Sequence, residues 1–411
     1  MVSRSPDIVI IGGGIAGCSL AIVLARAKFD VVVLEHTNDY PDRVRGEFMP
    51  PWGVAEFRKL GLLELFTANG GLVMTRSVPY GEALAPTEAE ARALDLTQLL
   101  PEVPGGLCLG HPAMCELLAK AATASGAQVL RGVDGIEVIA GGKPRVTFAD
   151  NGEVFALTPS LVVGADGRNS SVRKQLGFVV HADAPHNLIG GMLVGNVPGW
   201  SRQVMSLGVE ERLHFLIFPQ GDDKLRLYAC YDFADRARFA GADRQRKVLD
   251  AFRLKCLPLA AEITEATVLG PFNSFSNEDT WIDRPYTEGC VLIGDAAGHN
   301  DPIIGQGLSI AARDVRLVSE ILIAAKDSGR PPDFSPYAEE RTERMRRLRI
   351  AGRLAAKIRA EFGEEARARR VRVARRMAER QLSPVLASLI GPERLPAEAY
   401  SPETIERFIA A

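Results

Sequence analysis

VLIGDAAGHNDPIIGQGLSIAA, residues 291–312, decides how the rest of the chain is read. Val291 to Ile293 is a short apolar run, expected as a buried strand, and it stops at Gly294-Asp295. A polar loop with Pro302 follows, then Gly305-Gln306-Gly307, then a stretch with helical spacing. A strand, a glycine-rich turn and a helix start together let a backbone present N–H groups to a phosphate or a polar ring. Working outward, the opening residues Asp7 to Glu35 make the same kind of grip. The two stretches are expected to hold one dinucleotide between them.

In that opening stretch Ile8-Val9-Ile10-Ile11 is β-branched, as suits a parallel strand buried on both faces. Gly12-Gly13-Gly14-Ile15-Ala16-Gly17 then fits G-x-G-x-x-G. Gly12 allows the tight turn, Gly14 lets a pyrophosphate approach the backbone, and Gly17 lets the next helix pack close to the strand. The helix is expected over 15–26, with Leu20, Val23 and Leu24 inward, and a second strand over 30–34 ends at Glu35. An acid there accepts hydrogen bonds from ribose hydroxyls and disfavours a 2′-phosphate. Strand, helix and acid in the right order make dinucleotide binding a better reading than a plain βαβ turn.

A chain of 411 residues exceeds one compact core, so two closely packed lobes are expected. The formal net charge of −2 gives no global reason to bind nucleic acid. The six cysteines, at 18, 108, 115, 230, 256 and 290, form no CxxC pair, which suits reduced thiols in a cytosol better than disulfides or a metal site. No apolar run reaches membrane-spanning length, and the first residues do not read as a signal peptide. A cytoplasmic protein, monomer or homodimer, is the expectation.

Between the two grips, Arg43 to Pro51 is a loop with two arginines; Arg45 either reaches a pyrophosphate or stays on the surface. A helix is expected over 53–65, an irregular covering segment over 67–107 and a helix over 112–125. Val129, 136–139 and 145–148 suggest short antiparallel strands, the last followed by a turn at Asp150-Asn151-Gly152. Leu161 to Val163 is another buried strand, running into Gly164-Ala165-Asp166-Gly167-Arg168-Asn169-Ser170-Ser171-Val172-Arg173. Residues 187–232 read as an inserted antiparallel sheet of poor alternation, one face of which forms a substrate wall. A helix is expected over 243–257. The chain from 335 to 381 is expected to be helical and arginine-rich, with interleaved glutamates that suit a solvated face. The alternative is a docking face for an acidic partner, such as a carrier protein bearing a tethered substrate.

Taken in order, GGGIAG with Glu35, GADGRNSSVR at 164–173 and GDAAGHNDPIIGQGLS at 294–309 resemble the class A flavoprotein monooxygenases, the para-hydroxybenzoate hydroxylase-like family, over roughly residues 1–330. The resemblance implies an α/β fold. A Rossmann-like FAD-binding domain comes in three pieces (1–70, 111–182 and 276–330). A covering segment (71–110), an inserted antiparallel-sheet substrate domain (183–275) and C-terminal helices (331–411) complete it. The cofactor it implies is non-covalent FAD. Gly12, Gly14 and Gly17, with Ile15 and Ala16 between them, would meet the pyrophosphate and Glu35 the adenosine ribose. Asp295, in the turn with Gly294 and Ala296, would meet the flavin-side ribose or pyrophosphate, and Gly305-Gln306-Gly307-Leu308 would lie against the isoalloxazine ring. Asp166-Gly167 would support FAD and transient NAD(P)H, and Arg45 falls where the family commonly has an arginine near FAD. Two departures stand out. Gly298 follows GDAA where histidine or alanine is frequent, with His299 one place later. His111 stands near the place where an arginine often precedes the helix at 112–125.

The chemistry implied is oxygen insertion into an electron-rich, aromatic or polyketide-like substrate by a C4a-hydroperoxide of reduced FAD, with NAD(P)H or a separate reductase as the electron source. No metal cluster, Ser–His–Asp order or cysteine-nucleophile motif competes with a cofactor-borne reaction. His299 is the one candidate catalytic residue, as a base for a phenol or a hydrogen-bonding partner; the plainer reading is that it satisfies loop carbonyls. Rival functions are a prenyl-reductase-like flavin dehydrogenase, a flavin-dependent halogenase and a non-catalytic flavin sensor. The halogenase is disfavoured because Trp52, Trp200 and Trp281 sit in no Trp-x-Trp-x-Ile-Pro stretch.

Overall fold

The computed structural model describes residues 3–42, 44, 46–185, 187–378 and 383–410. The four short apolar runs line up as one sheet. Ile8–Ile11 lies between Leu161–Gly164 and Val31–Glu35, Cys290–Leu292 flanks the former and Gln128–Arg131 the latter, all parallel, with Tyr286–Thr287 antiparallel at one edge. Side chains alternate across a strand, so a fully apolar run needs cover on both faces. Ile8, Ile10, Val31, Val33, Val163 and Val291 pack beneath helices. Val9, Ile11, Val32, Leu34, Val162 and Leu292 pack against Val138, Val146 and Phe148 of a β-meander. That meander is Asp134–Ile139, Arg145–Asp150 and Glu153–Leu157, with the last two strands turned by Asn151 and Gly152 at positive φ. The Val129 segment thus differs from expectation: Gln128–Arg131 joins the parallel sheet, because its partner Val31–Glu35 is far away in sequence.

The second lobe is built on a mostly antiparallel sheet in which Asn187–Gly195, Leu225–Asp232, Leu213–Pro219 and Val204–Glu210 are successive neighbours. Its alternation, which looks poor in the sequence, is strict in space. Leu213, Phe215, Ile217, Leu225, Leu227 and Ala229 face an outer core with the helix Arg244–Ala251. Leu216, Phe218, Tyr228 and Ile189 face the first lobe. Both faces are covered, so both are apolar and the period of two is masked.

The covering segment is more ordered than expected. Leu72–Met74 and Phe48–Met49 flank Gly106–Cys108 in a small sheet, and Arg76–Val78 extends the large sheet beside Val204–Glu210. Runs of three residues paired to distant strands carry too little local signal to be read. The expected helix over 53–65 is two, Pro51–Lys59 and Leu63–Thr67, parted at Gly61 with φ +67. The expected helix over 243–257 is only Arg244–Ala251, followed by Ala260–Thr264. The arginine-rich segment is likewise two helices, Ser335–Arg359 and Glu364–Ala378, broken before Gly363 at φ +102; residues 379–382 lie outside the described residues.

Candidate active site

The two grips meet around one cavity of about 530 Å³. One end is lined by Gly12, Gly14, Ile15, Ala16, Glu35, Asp166, Gly294 and Asp295, and the strand ends deliver all of them. Gly305, Gln306, Gly307, Leu308 and His111 line its middle. Ile189, Leu216, Phe218, Tyr228 and Phe275 bring the wall of the second lobe to the same space, and Val44, Glu47 and Phe48 line it from the first lobe.

The glycines differ in what they permit. A Cβ at Gly17 would lie 1.9 Å from the Gly12 carbonyl oxygen, so this residue sets how closely helix Ile15–Arg26 packs on its strand. A Cβ at Gly12, where φ is +106, would lie 2.4 Å from the Ala165 carbonyl oxygen. Gly14 has nothing within 4 Å of that position, so the missing side chain leaves open space on the cavity side. The helix behind it has no side-chain cap and no acid in its first turn. Its first N–H groups and its dipole are therefore available to an anion. Gly307 repeats the arrangement: its Cβ position is open, and the 22-residue helix Gly307–Ser328 starts there with neither side-chain cap nor acid.

The acids are held in place. Glu35 accepts from the Gly13 amide (2.7 Å), the Thr37 amide (2.8 Å) and the Thr37 hydroxyl (2.7 Å). Asp166 Oδ2 caps the short helix Ser171–Gln175, accepting from the Ser171 amide (2.6 Å) and the Val172 amide (3.2 Å). Its Oδ1 is buried and has no hydrogen-bond partner among the described residues. Arg168 Nε lies 3.3 Å from Asp295 Oδ2, and Arg173 donates to the carbonyls of Ala296 (3.1 Å) and Arg168 (2.5 Å). The two arginines of GADGRNSSVR thus tie that turn to the Gly294–Ala297 turn.

Gln306 is fixed from behind: Trp52 Nε1 donates to its Oε1 (2.8 Å) and its own amide donates to the Ile304 carbonyl (2.6 Å). His111 lies beside Gly46 and Leu308; a Cβ at Gly46 would be 3.2 Å from His111 Cδ2 and 3.4 Å from Leu308 Cδ2. Ala296 is buried behind the cavity lining. Arg45 lies outside the described residues.

His299 is not among the cavity-lining residues. It is buried and paired with Thr280 through Nδ1 to the Thr280 hydroxyl (2.8 Å), its amide to that hydroxyl (3.0 Å) and the Thr280 amide to its carbonyl (2.8 Å). This placement is that of a loop fastener.

Three supporting groups escape the sequence reading. Tyr40 donates to the Gly13 carbonyl (2.7 Å). Buried Glu47 accepts from Arg226 Nε (2.9 Å) and Tyr228 (3.0 Å), while Arg226 also donates to Asp42 (2.7 Å), which pins Asp42 and Glu47 to the second lobe. Asp314 is the third. It accepts from the Gly294 amide (2.8 Å) and pairs with Arg341 (3.0 Å) and Arg344 (2.7 Å). Arg341 also donates to the carbonyls of Gly294, Ala297 and Gly298. Burial alone would raise the Asp314 carboxyl, but the two arginines hold it below the usual carboxylate range. The solvated-face reading of the arginine-rich helix is therefore corrected for its first half: Arg341 and Arg344 are 1% and 3% exposed and brace the Gly294–Gly298 turn. A signal existed. Asp314 falls on the Ala311, Val315, Val318 stripe, and Arg341 and Arg344 share a face with Tyr337 and Leu348.

The open cradles at Gly14 and Gly307, the two uncapped helix starts and the buried Asp166 oxygen fit a long, doubly anionic dinucleotide carrying a flat ring. Comparison with known proteins agrees. The family model described as FAD binding domain matches residues 5–349. The rifampicin monooxygenase of Streptomyces venezuelae is 27% identical over 79% of this chain, and the aligned part covers 65% of its own length, just under two thirds. The 3-demethoxyubiquinol 3-hydroxylase of Escherichia coli is 26% identical over 85% of this chain and 87% of its own. Among solved structures, p-nitrophenol 4-monooxygenase from Pseudomonas putida superposes with a TM-score of 0.77 at 17% identity, over 95% of this chain and 99% of the other, a likeness of fold.

Proposed function

The chain belongs to the FAD binding domain family, and from that premise we propose that it is an FAD-dependent monooxygenase acting on an electron-rich aromatic or polyketide-like compound. The observation that carries the proposal is the single cavity in which the dinucleotide turns and the apolar wall of Ile189, Leu216, Phe218, Tyr228 and Phe275 face each other. We assign the first-turn N–H groups after Gly14 to the pyrophosphate, Glu35 and Asp295 to the two ribose ends, and the Gly305–Leu308 turn to the ring. FAD, when bound, supplies the activation of O₂. One oxygen atom enters the substrate and the other leaves as water, with two electrons from NAD(P)H and protons from NAD(P)H and solvent. The chain's own residues hold the substrate against the ring and keep water out, which the covered apolar wall suits.

The test is oxygen uptake and NAD(P)H oxidation by the flavin-loaded protein across a panel of aromatic substrates, followed under ¹⁸O₂. One labelled atom per product molecule is expected. Turnover that continues under nitrogen would place the chain among flavin dehydrogenases instead.

A further inference from the structure

The substrate end of the cavity is mostly apolar; Glu47 and the Tyr228 hydroxyl, which also line it, are engaged with each other and with Arg226, and Asn300 is a further polar side chain. Asn300 lines the cavity, is 5% exposed, and sits on the loop between the Gly294–Ala297 turn and Pro302. Its amide is oriented from behind. Asn300 Nδ2 donates to Asp279 Oδ1 (2.6 Å), and the backbone amide of Asp301 donates to that same oxygen (2.9 Å). An oxygen that already accepts from a backbone N–H faces Asn300 as an acceptor, so the NH₂ group and not the carbonyl must point to it. Asn300 Oδ1 is left buried, with no hydrogen-bond partner among the described residues. A buried acceptor without a donor costs free energy that a matching ligand group recovers.

We propose that Asn300 is a specificity-determining residue that accepts a hydrogen bond from an O–H or N–H of the substrate, and that Asp279 is the positioning residue that sets its amide. This rests on the reading of the cavity as a site for an apolar aromatic substrate beside FAD. The site then discriminates on one feature. A ligand that donates satisfies Oδ1, whereas its O-methyl counterpart leaves Oδ1 unpaired, the kind of mismatch that gives large selectivity ratios.

The experiment uses the FAD-loaded protein and the pair 2-naphthol and 2-methoxynaphthalene, with binding read from perturbation of the flavin absorbance. In the unaltered protein 2-naphthol is expected to bind about tenfold or more tighter. Asn300→Leu should bring the ratio close to one, mainly by weakening 2-naphthol. Asn300→Ser, a smaller change, should do the same in part and covers the case in which the leucine variant does not fold. Asp279→Asn retains a carbonyl acceptor for both N–H groups and should keep the ratio, whereas Asp279→Leu should lower it. A ratio unchanged in both Asn300 variants overturns the inference and leaves the flavoprotein reading intact. A weakened FAD affinity in the Asn300 variants, with the ratio preserved when they are saturated with FAD, also overturns it, by assigning the acceptor to an N–H of the flavin ring. If neither naphthalene perturbs the flavin, the aromatic-substrate reading falls and takes the inference with it.

Discussion

Replacing Gly14 with alanine puts a Cβ where no atom lies within 4 Å, at φ −76° and ψ −162°, a conformation open to any residue. In FAD-free protein nothing resists the methyl group. The substitution also narrows the unfolded ensemble, a gain of roughly 0.4–1 kcal/mol. The FAD-free variant should therefore unfold at the same temperature as the parent or slightly above it. The same methyl group occupies the space through which a pyrophosphate would reach the helix start, an overpacking cost of about 1–3 kcal/mol that raises the FAD dissociation constant about 5- to 150-fold. Gly17→Ala behaves in the opposite way. Its Cβ would lie 1.9 Å from the Gly12 carbonyl oxygen and 3.2 Å from Ile10 Cγ2, so helix and strand must separate even without cofactor. A loss of about 1–3 kcal/mol is expected in the FAD-free protein itself. Calorimetric unfolding of FAD-depleted protein, paired with titration of FAD into it, resolves the two. Unaltered FAD affinity in Gly14→Ala, or unaltered stability of FAD-free Gly17→Ala, would refute the reading of these glycines.

Asp314→Asn leaves Arg341 and Arg344 buried around a neutral amide, and chemical denaturation should report a loss of about 3–5 kcal/mol. Because the Asp314 carboxyl is held below its unfolded value, its contribution is present above the unfolded pKa and fades as pH falls through the folded one, so the gap between parent and variant should close in acid. Asp279 has the reverse sign. Burial, with the charge of Asp301 adding to it against hydrogen bonds from the Asp301 amide and Asn300, pushes its carboxyl up to about 6, with Asp183 and Arg349 as the other charged neighbours. The folded state then binds the proton more tightly than the unfolded chain. Asp279 costs stability increasingly from about pH 4 to pH 6, and Asp279→Asn should be the more stable protein at pH 8 and equal to the parent near pH 4. His299→Ala should lower the unfolding temperature through the lost Thr280 pairing and leave the pH profile of turnover unmoved; a shifted profile would return His299 to the chemistry.

What could be read in the sequence and what could not divides along a physical line. Ile8–Ile11, Leu161–Gly164 and the 291–293 run announce themselves because a strand buried on both faces has to be continuously apolar, and Gly12 and Gly17 because only a missing Cβ fits there. The inserted sheet blurs for a related reason: Leu216 and Ile217 face different cores that are both apolar, so neighbouring residues look alike. The supports are harder still. Arg341 is one of many arginines on its helix; its place on the Tyr337 and Leu348 face marks it for burial, but its partners, the carbonyls of Gly294, Ala297 and Gly298, are brought to it by the fold, whereas its half-buried neighbour Arg346 pairs with Glu343 on the same helix.

The same contrast bears on the late turn and its departure from the family pattern. With Gly298 where histidine or alanine is frequent, the backbone passes at φ +108 with a Cβ position only 2.6 Å from the Thr280 carbonyl oxygen, so no side chain fits there. The histidine one place later is drawn into the Thr280 pairing, and the next residue, Asn300, is the one that reaches the cavity. The polar group that this loop brings to the cavity is an amide, which does not change charge near neutrality. A site built this way selects its ligand by hydrogen-bond direction, and the orientation of the Asn300 amide should hold until Asp279 behind it changes state near pH 6.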